Sequence, residues 1–526
     1  MAAADLIAAA EAVELARGVV HDGVRTLRAG GGPDVDQVLG YDLSHAAAAV
    51  ETAHWMLDYG AHGELEAQIT CAFVADVIGE LTSRLFGREA TWGIEVGALD
   101  GARGFCTTYR DPAFLAWLAG QEGPRHLDAD FELVQDTFRR FAEDKLKPIA
   151  EHIHRHNDDI PEDVISGLGE MGAFGLSVPE EYGGYGGGGE SEYIGMVVAT
   201  EELSRGSLGA GGSLITRPEI FTRALVTGGT EEQKHEWLPK LASAEVLNAI
   251  AVTEPDVGSD SATVTTSATR TEGGWLLNGV KTWCTFGARA DVLLLLARTD
   301  PDRSIRHKGL SLFIVPKERG NGHGFALTQD GGGKMEGRAI DTIGYRGMHS
   351  YEIAFDSWFV EDANLVGGEE GIGRGFYLQM AGFENGRLQT AARAIGVMQA
   401  AYEAAKQYAS DRVVFDRPIA EFQLTQVKLA RMAITIQAAR QASYAVARQM
   451  AKGRGTLEAA MLKAYVCKAA EWVTREAMQI HGGMGYAEEF PVSRYFVDAR
   501  VLSIFEGADE ILCLKLIARR MIETAG

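Results

Sequence analysis

One carboxylate draws attention first. Glu506 lies between Phe505 and Gly507, and Val501, Leu502, Ile504, Ile511 and Leu512 surround it along the chain. Apolar neighbours strip a carboxylate of part of its water. A half-desolvated carboxylate beside a flexible glycine is a usable general base. On these residues alone, an ordinary solvated acid in a turn is the commoner outcome. His152, His154 and His156 include one i, i+4 pair, but no third ligand is suggested nearby, so a solvated helix face is expected rather than a metal site. The five cysteines (Cys71, Cys106, Cys284, Cys467 and Cys513) are scattered, with no CxxC or Cys/His zinc spacing, which argues against a disulfide scaffold or structural zinc.

The elements that must position such a base follow from the texture of the chain. Its 526 residues predict two to four domains, and 46% hydrophobic content is enough for large cores. A net charge of −23 argues against nucleic acid or an anionic membrane as partner and fits a soluble protein of cytoplasmic type. The opening run MAAADLIAAAEAVELARG is interrupted by Asp5, Glu11 and Glu14 and reads as an amphipathic helix, not a signal peptide. No apolar run is long enough to span a bilayer.

Segments 4–28, 35–60 and 64–86 show helical spacing, with Gly30, Gly31, Gly32 and Pro33 breaking the first from the second. A loop containing Gly97, Gly101 and Gly104 is expected next, in a region (97–128) whose Phe105, Tyr109, Phe114, Leu115, Trp117 and Leu118 look packed. More helices are expected over 131–180 and 192–245, punctuated by Pro218 and Pro239. Short apolar runs bounded by turn residues predict a β-sheet from 246 to about 365. Long helices return at 373–411, 420–452 and 456–481. LEAQITCAFV (65–74) echoes LEAAMLKAYV (457–466), as related helices or as two Ala-rich helices alike by composition. GGYGGGG (183–189) and GIGRG (371–375) sit in no βαβ unit, so a Rossmann domain is rejected. The expected division is a helical extension (1–125), a helical domain (126–245), a β domain (246–368) and a C-terminal helical bundle (369–526).

AVTEPDVGSD (251–260) and KTWCTFGARAD (281–291) resemble the acyl-CoA dehydrogenase family. So do VPEEYGG (178–184), GTEEQKHEWLPKL (229–241), DRVVFDRPIAEFQ (411–423), QIHGGMGY (479–486) and FEGADEI (505–511), all in order between about 130 and 522. The resemblance implies a mainly α fold with a central, β-barrel-like domain and a C-terminal four-helix bundle, with non-covalent FAD as cofactor. It makes Glu506 the catalytic base that removes the α-proton of a thioester while flavin N5 takes the β-hydride. The family's alternative base position falls on Gly386, which cannot serve. It places Val252, Thr253, Ser259, Trp283, Cys284 and Thr285 at the flavin, with Phe422, Gln423, Gln479, Gly482, Gly483, Ala508 and Glu510 as further FAD contacts. Arg412 and Phe415 are implied to reach FAD from a neighbouring subunit. Ser259, Glu384 and Arg387 match positions near the CoA arm or the base. Phe286 and Ala508 depart from the family's usual Asn and Thr.

The extension, SLITRPEIFTRAL (213–225) and KMEGRAIDTIGYRGMHSYEIAF (334–355) resemble the subgroup that oxidises (2S)-methylsuccinyl-CoA to mesaconyl-CoA in the ethylmalonyl-CoA pathway. A substrate carboxylate buried at the acyl tip needs a cation. Arg217 is a candidate substrate-binding residue in the pocket-lining region, with a surface arginine as the alternative. Gly211 falls where relatives acting on glutaryl-CoA carry their carboxylate-binding arginine. Rival readings are a dehydrogenase of another short-chain acyl-CoA, an acyl-CoA oxidase, and a DNA-associated flavoprotein of the same fold. Electron-transfer flavoprotein is the expected acceptor. A homodimer is expected in place of the family's tetramer, with the extension capping the tetramer face.

Overall fold

The computed structural model describes residues 3–525, apart from the side chain of Glu384. The chain opens with α1 (Leu6–Ala29), α2 (Gln37–Gly60) and α3 (Glu64–Leu85), then helical turns at Arg103–Tyr109 and Pro112–Leu118. Next come α4 (Ala129–Phe141), α5 (Lys147–His156), α6 (Glu190–Gly206), α7 (Arg217–Gly228) and α8 (Glu231–Ala242). The strands are β1 (Asn248–Ala251), β2 (Ser267–Thr271), β3 (Gly274–Thr285), β4 (Val292–Arg298), β5 (Leu310–Pro316), β6 (Gly324–Thr328), β7 (Lys334–Ile340) and β8 (Ser350–Glu361). Three long helices and a short one follow: α9 (Gly375–Asp411), α10 (Gln423–Met450), α11 (Thr456–His481) and α12 (Val492–Leu502). The chain is thus mainly α with a central β domain, as expected. Two compact units are formed, Met1–Leu133 with Thr390–Gly526, and Val134–Gln389. Among the described residues no helix is long and apolar enough to cross a membrane.

In the first unit, α1 buries Ala9, Ala12, Val13, Ala16, Val20, Val24 and Leu27, the i, i+3, i+4, i+7 pattern of one helix face. These residues share a core with Ala430, Ile434 and Ala438 of α10 and Ala460, Met461 and Ala464 of α11. Fully burying each larger aliphatic side chain is worth roughly 1.5–3 kcal/mol. Polar contacts fix the register of this packing. Asp76 of α3 accepts from Arg431 Nε at 2.9 Å and Nη2 at 3.0 Å, a bidentate pair. Asp34 lies 2.5 Å from both Lys515 and Arg519. Gln437 and Gln441 each donate, at 3.0 Å, to the carbonyls of Pro124 and Arg125. The segment after α3 is therefore packed down, with Phe105, Tyr109, Phe114, Leu115 and Leu118 buried. Gly101 and Gly104, expected in a loop, lie instead in helical turns (Asp100–Ala102 and Arg103–Tyr109). The i, i+4 pair Phe105 and Tyr109, rings 4.7 Å apart, outweighs the ~1 kcal/mol that a helical glycine costs. The two echoed segments lie in α3 and α11. Phe73 and Tyr465, which occupy the same position in each, meet edge to face with ring centroids 6.0 Å apart.

In the second unit the strand order is β1-β4-β2-β3-β8-β7-β6, with β5 pairing β4. β4 is buried along its whole length. Its Val292, Leu294 and Leu296 join Ile220, Phe221, Leu225, Leu238 and Leu241 of α7 and α8 in one core. Pro218 falls in the first turn of α7, where its missing N–H costs nothing. Pro239, expected as punctuation, lies inside α8. Within GGYGGGG, Tyr185 N and Gly186 N donate to Gly175 O at 2.9 Å and Val178 O at 2.8 Å, which ties this part of the run to the segment before it.

Candidate active site

Glu506 sits in the loop that follows α12. Its backbone lies in the left-handed region, φ +54°, and Gly507 follows at φ +97°. A left-handed non-glycine residue is strained and persists only where its surroundings hold it. Several contacts do so here. Asp509 N donates to Ser503 O at 3.1 Å, closing the loop across Glu506. Lys463 of α11 donates to the Gly507 carbonyl at 2.6 Å. Ser503 Oγ donates to Glu471 at 2.5 Å, and the Arg393 guanidinium stands 4.9 Å over the Phe505 ring. Glu506 Oε2 is buried with no hydrogen-bond partner among the described residues. That is the half-desolvated carboxylate read from the flanking residues, and it has the physical attributes of a proton acceptor.

Asp509, missed in the sequence reading, is buried in the same loop. It accepts from Tyr41 Oη at 2.6 Å and meets His45 Nε2 at 3.0 Å. Burial alone would raise its carboxyl, but the hydrogen bonds from His45 and Tyr41, with Lys468 nearby, hold it at about 2. Ala508 is half-buried and Glu510 exposed.

The second unit builds a wall around Trp283. The pairing of β3 with β8 shifts register between Lys281 and Cys284, and Trp283 takes φ +58° in that bulge. A bulge re-aims a side chain. Here it leaves the indole 55% exposed while Cys284 points fully inward. Thr285 Oγ1 lies 3.2 Å from Ser350 Oγ. Phe286 is buried at φ +69°, and its N–H donates to His349 O at 2.8 Å. The segment before the wall is clamped to it. Thr282 N donates to Thr253 O at 2.8 Å, and Lys281 Nζ reaches Val252 O and Glu254 Oε1, both at 2.9 Å. Glu254 also accepts from Thr265 N at 2.7 Å and Thr266 N at 2.8 Å. Val252, Thr253, Trp283 and Thr285 are thus tied together, whereas Ser259 is exposed on the loop beyond. An open aromatic face beside half-buried hydroxyls suits a flat, apolar ring with a hydrogen-bonding edge, as in isoalloxazine.

The Glu254–Lys281 pair also went unnoticed in sequence, although both residues lie inside quoted motifs. Burial opposes the charge on Glu254, but Lys281 and Thr266 overcome it and hold the carboxyl at about 2. A depressed pKa stabilises the fold at pH values above the unfolded value, and that contribution is lost as pH falls from about 4.5 towards about 2. Lys281→Met strands the carboxylate and is expected to destabilise the β domain by about 3–5 kcal/mol. Urea titration with FAD fluorescence as the second probe measures this. Unchanged stability at pH 7 would contradict it.

The remaining expected FAD contacts lie in the first unit and on its surface. Arg412 precedes a hairpin, Val413–Val414 paired with Arg417–Pro418, whose turn residues Phe415 and Asp416 both have positive φ, +50° and +61°. Phe415 is 89% exposed, and its ring meets Phe422 edge to face. Gln423 and Gln479 are exposed. Gly482 ends α11 at φ +59°, ψ −134°, a conformation only glycine takes readily, and a Cβ on it or on Gly483 would meet nothing within 4 Å. That end of α11 is open to close approach by a ligand.

Arg217, at the start of α7, is 8% exposed, which overturns the surface reading. Its Nε donates to Ser213 O at 3.3 Å, and no carboxylate among the described residues pairs with it. By contrast, Arg205 is paired with Glu143 and Glu202, and Arg223 with Glu192. Arg387 is half-buried on α9. Glu384 is on the same helix, and its side chain lies outside the described residues. Asp158 supplies the third group not foreseen beside the exposed His152 and His156, 3.1 Å from His152 Nε2.

Comparison with known proteins matches three domains: acyl-CoA dehydrogenase N-terminal over 128–245, middle over 249–358 and C-terminal over 373–522. The extension precedes all three. A (2S)-methylsuccinyl-CoA dehydrogenase of Cereibacter sphaeroides is 40% identical over 512 residues, 93% of this chain and 91% of that one. Among solved structures, a glutaryl-coenzyme A dehydrogenase in complex with glutaryl-CoA matches with TM-score 0.69 and 31% identity, over 76% of this chain and 96% of that one. A Mycobacterium smegmatis glutaryl-CoA dehydrogenase in complex with FADH2 matches at TM-score 0.65 and 26% identity, with the same coverage of each. The chain therefore belongs to the acyl-CoA dehydrogenase family, FAD-dependent oxidoreductases that act on CH–CH groups.

Proposed function

We propose that the chain oxidises a short, α-branched acyl-CoA thioester ending in a free carboxylate, (2S)-methylsuccinyl-CoA, to mesaconyl-CoA, as a step of the ethylmalonyl-CoA pathway. The observation that carries this reading is Arg217, a buried cation with no acid partner among the described residues. An unpaired buried charge is costly, and a substrate carboxylate would relieve it. Likeness to the Cereibacter sphaeroides enzyme supports the same substrate. In this reading Glu506 removes the α-proton, and its own N–H, turned by the left-handed backbone, faces the thioester oxygen as negative charge develops there. Bound FAD supplies the hydride acceptor. Thr253, Trp283 and Thr285 hold its ring, and Gln423, Gln479, Gly482 and Gly483 bind further along it. Arg412 and Phe415 reach the cofactor of a second subunit, which accounts for a phenylalanine held 89% exposed on a strained turn. Electron-transfer flavoprotein takes the electrons. Anaerobic bleaching of the flavin by a panel of small thioesters, followed by exposure to oxygen with and without that acceptor, tests both parts. Rapid turnover with oxygen alone would indicate an oxidase instead.

The assembly proposed is a homodimer. Contact between the same position of two echoed helices, Phe73 with Tyr465, is what an isologous pairing of two like bundles produces near its axis. The extension thus imitates a second bundle and covers α10 and α11 within one chain. Light scattering on the full chain should give the dimer mass, and a tetramer would contradict the capping. A chain beginning near Asp128 should aggregate or form larger assemblies, because Ile434 and Met461 lose their cover. A soluble, still-dimeric truncation would count against the idea.

A further inference from the structure

The contacts of α2 concentrate on the residues that follow the proposed base. Tyr41, Ser44 and His45 are spaced i, i+3, i+4 and so share one face of α2. Tyr41 Oη and His45 Nε2 both reach Asp509 Oδ2, at 2.6 and 3.0 Å, across separations of 468 and 464 residues. Ser44 Oγ shares its one hydroxyl hydrogen between the Gly40 carbonyl of its own helix at 2.8 Å and the Cys513 carbonyl, one turn beyond Asp509, at 2.9 Å. Asp509 is the residue whose N–H closes the Glu506 loop onto Ser503. Its side chain is 5% exposed, and the Tyr41 phenol, pushed up by burial and by Asp509, stays a donor. His45, Asp509 and Cys513 also offer three ligand atoms within 4.8 Å of one another. However, Asp509 Oδ2 is already shared by Tyr41, His45 and, at 3.5 Å, the Lys468 ammonium, and burial pushes the Cys513 thiol up, so the cluster works as a hydrogen-bonded clamp rather than an ion cage.

We infer that the N-terminal extension sets the position of the catalytic glutamate, with Asp509 as the positioning residue and Tyr41 and His45 of α2 as its holders. The inference rests on Glu506 being the base. Strain at Glu506 (φ +54°) gives the clamp its purpose, because the loop has no intrinsic preference for that backbone and must be held in it from outside. A covering helix would need only an apolar face. This one directs three polar side chains at Asp509–Cys513.

The test uses the full-length holoenzyme. Tyr41→Phe removes one hydroxyl and leaves the fold intact. His45→Ala removes the second contact, and His45→Gln restores a donor of similar reach. For Tyr41→Phe with His45→Ala, the limiting rate of anaerobic flavin bleaching should fall about 10- to 100-fold, the cost of a slight misplacement. Thioester Kd and FAD content should stay within about threefold, and His45→Gln in place of His45→Ala should recover most of the rate. An unchanged bleaching rate in the double variant would overturn the inference. So would a parallel loss of FAD, Kd and rate that His45→Gln does not rescue, since that is plain destabilisation. Glu506→Gln, run alongside, separates the two claims. If it bleaches normally, the base assignment has failed. If it is dead while the clamp variants are normal, only the clamp has failed.

Discussion

Glu506→Gln should bind FAD and thioester much as the wild type does and yet bleach its flavin slower by on the order of 10³-fold or more. Glutamine matches the shape of glutamate, so the left-handed loop and the contacts of Ser503, Lys463 and Asp509 are expected to persist. What disappears is the proton acceptor. The other base position that the family resemblance offers falls on Gly386, which has no side chain to take the proton. Oε2 of Glu506 is held out of water without a partner, so amide substitution breaks no hydrogen bond there among the described residues. Stopped-flow absorbance at the flavin band reads the rate, and an unreacted thioester analogue reads the binding. Near-normal bleaching would remove Glu506 from the mechanism.

Arg217→Ala should weaken the binding of (2S)-methylsuccinyl-CoA by roughly 2–5 kcal/mol, the cost of orphaning one partner of a buried charge pair. At 1.4 kcal/mol per tenfold, that is a loss of between about 30-fold and several thousandfold. The methyl ester of the same thioester, or a neutral branched acyl-CoA, should lose far less. Comparison of the two losses is the informative quantity. It cancels any general damage to α7, whose Asn248 contact to the Arg217 carbonyl (3.0 Å) survives the substitution. Equal losses for charged and neutral thioesters would show that Arg217 does not read a carboxylate.

Local chemistry was readable in the chain, and long-range chemistry was not. The helix spacing of α1 to α3, and the apolar run Leu293–Leu296 of β4, follow from period and turn residues alone. The residues that strip Glu506 of water adjoin it in sequence, yet on them alone a solvated acid is the commoner outcome, and it is the resemblance carried by FEGADEI (505–511) that makes it the candidate base. Trp283 could be placed by its motif, but not its outward turn, because that turn arises from a register shift against β8, some seventy residues on. The burial of Arg217 depends on the core formed by α7, α8 and β4, so no local pattern separates it from a surface arginine. The Tyr41 and His45 contacts to Asp509 join groups 468 and 464 residues apart, and nothing about α2 in isolation points to them. Gly101 and Gly104, expected in a loop, are helical because aromatic packing outweighs glycine's preference.

The most direct test is an anaerobic titration of the purified yellow protein with equal amounts of (2S)-methylsuccinyl-CoA, its (2R) epimer, glutaryl-CoA, isovaleryl-CoA and butyryl-CoA, followed at the flavin band. Rapid, near-stoichiometric bleaching by (2S)-methylsuccinyl-CoA is expected, with mesaconyl-CoA as product, and slow or partial bleaching by the others. Fast bleaching by a neutral thioester with none by methylsuccinyl-CoA would contradict it.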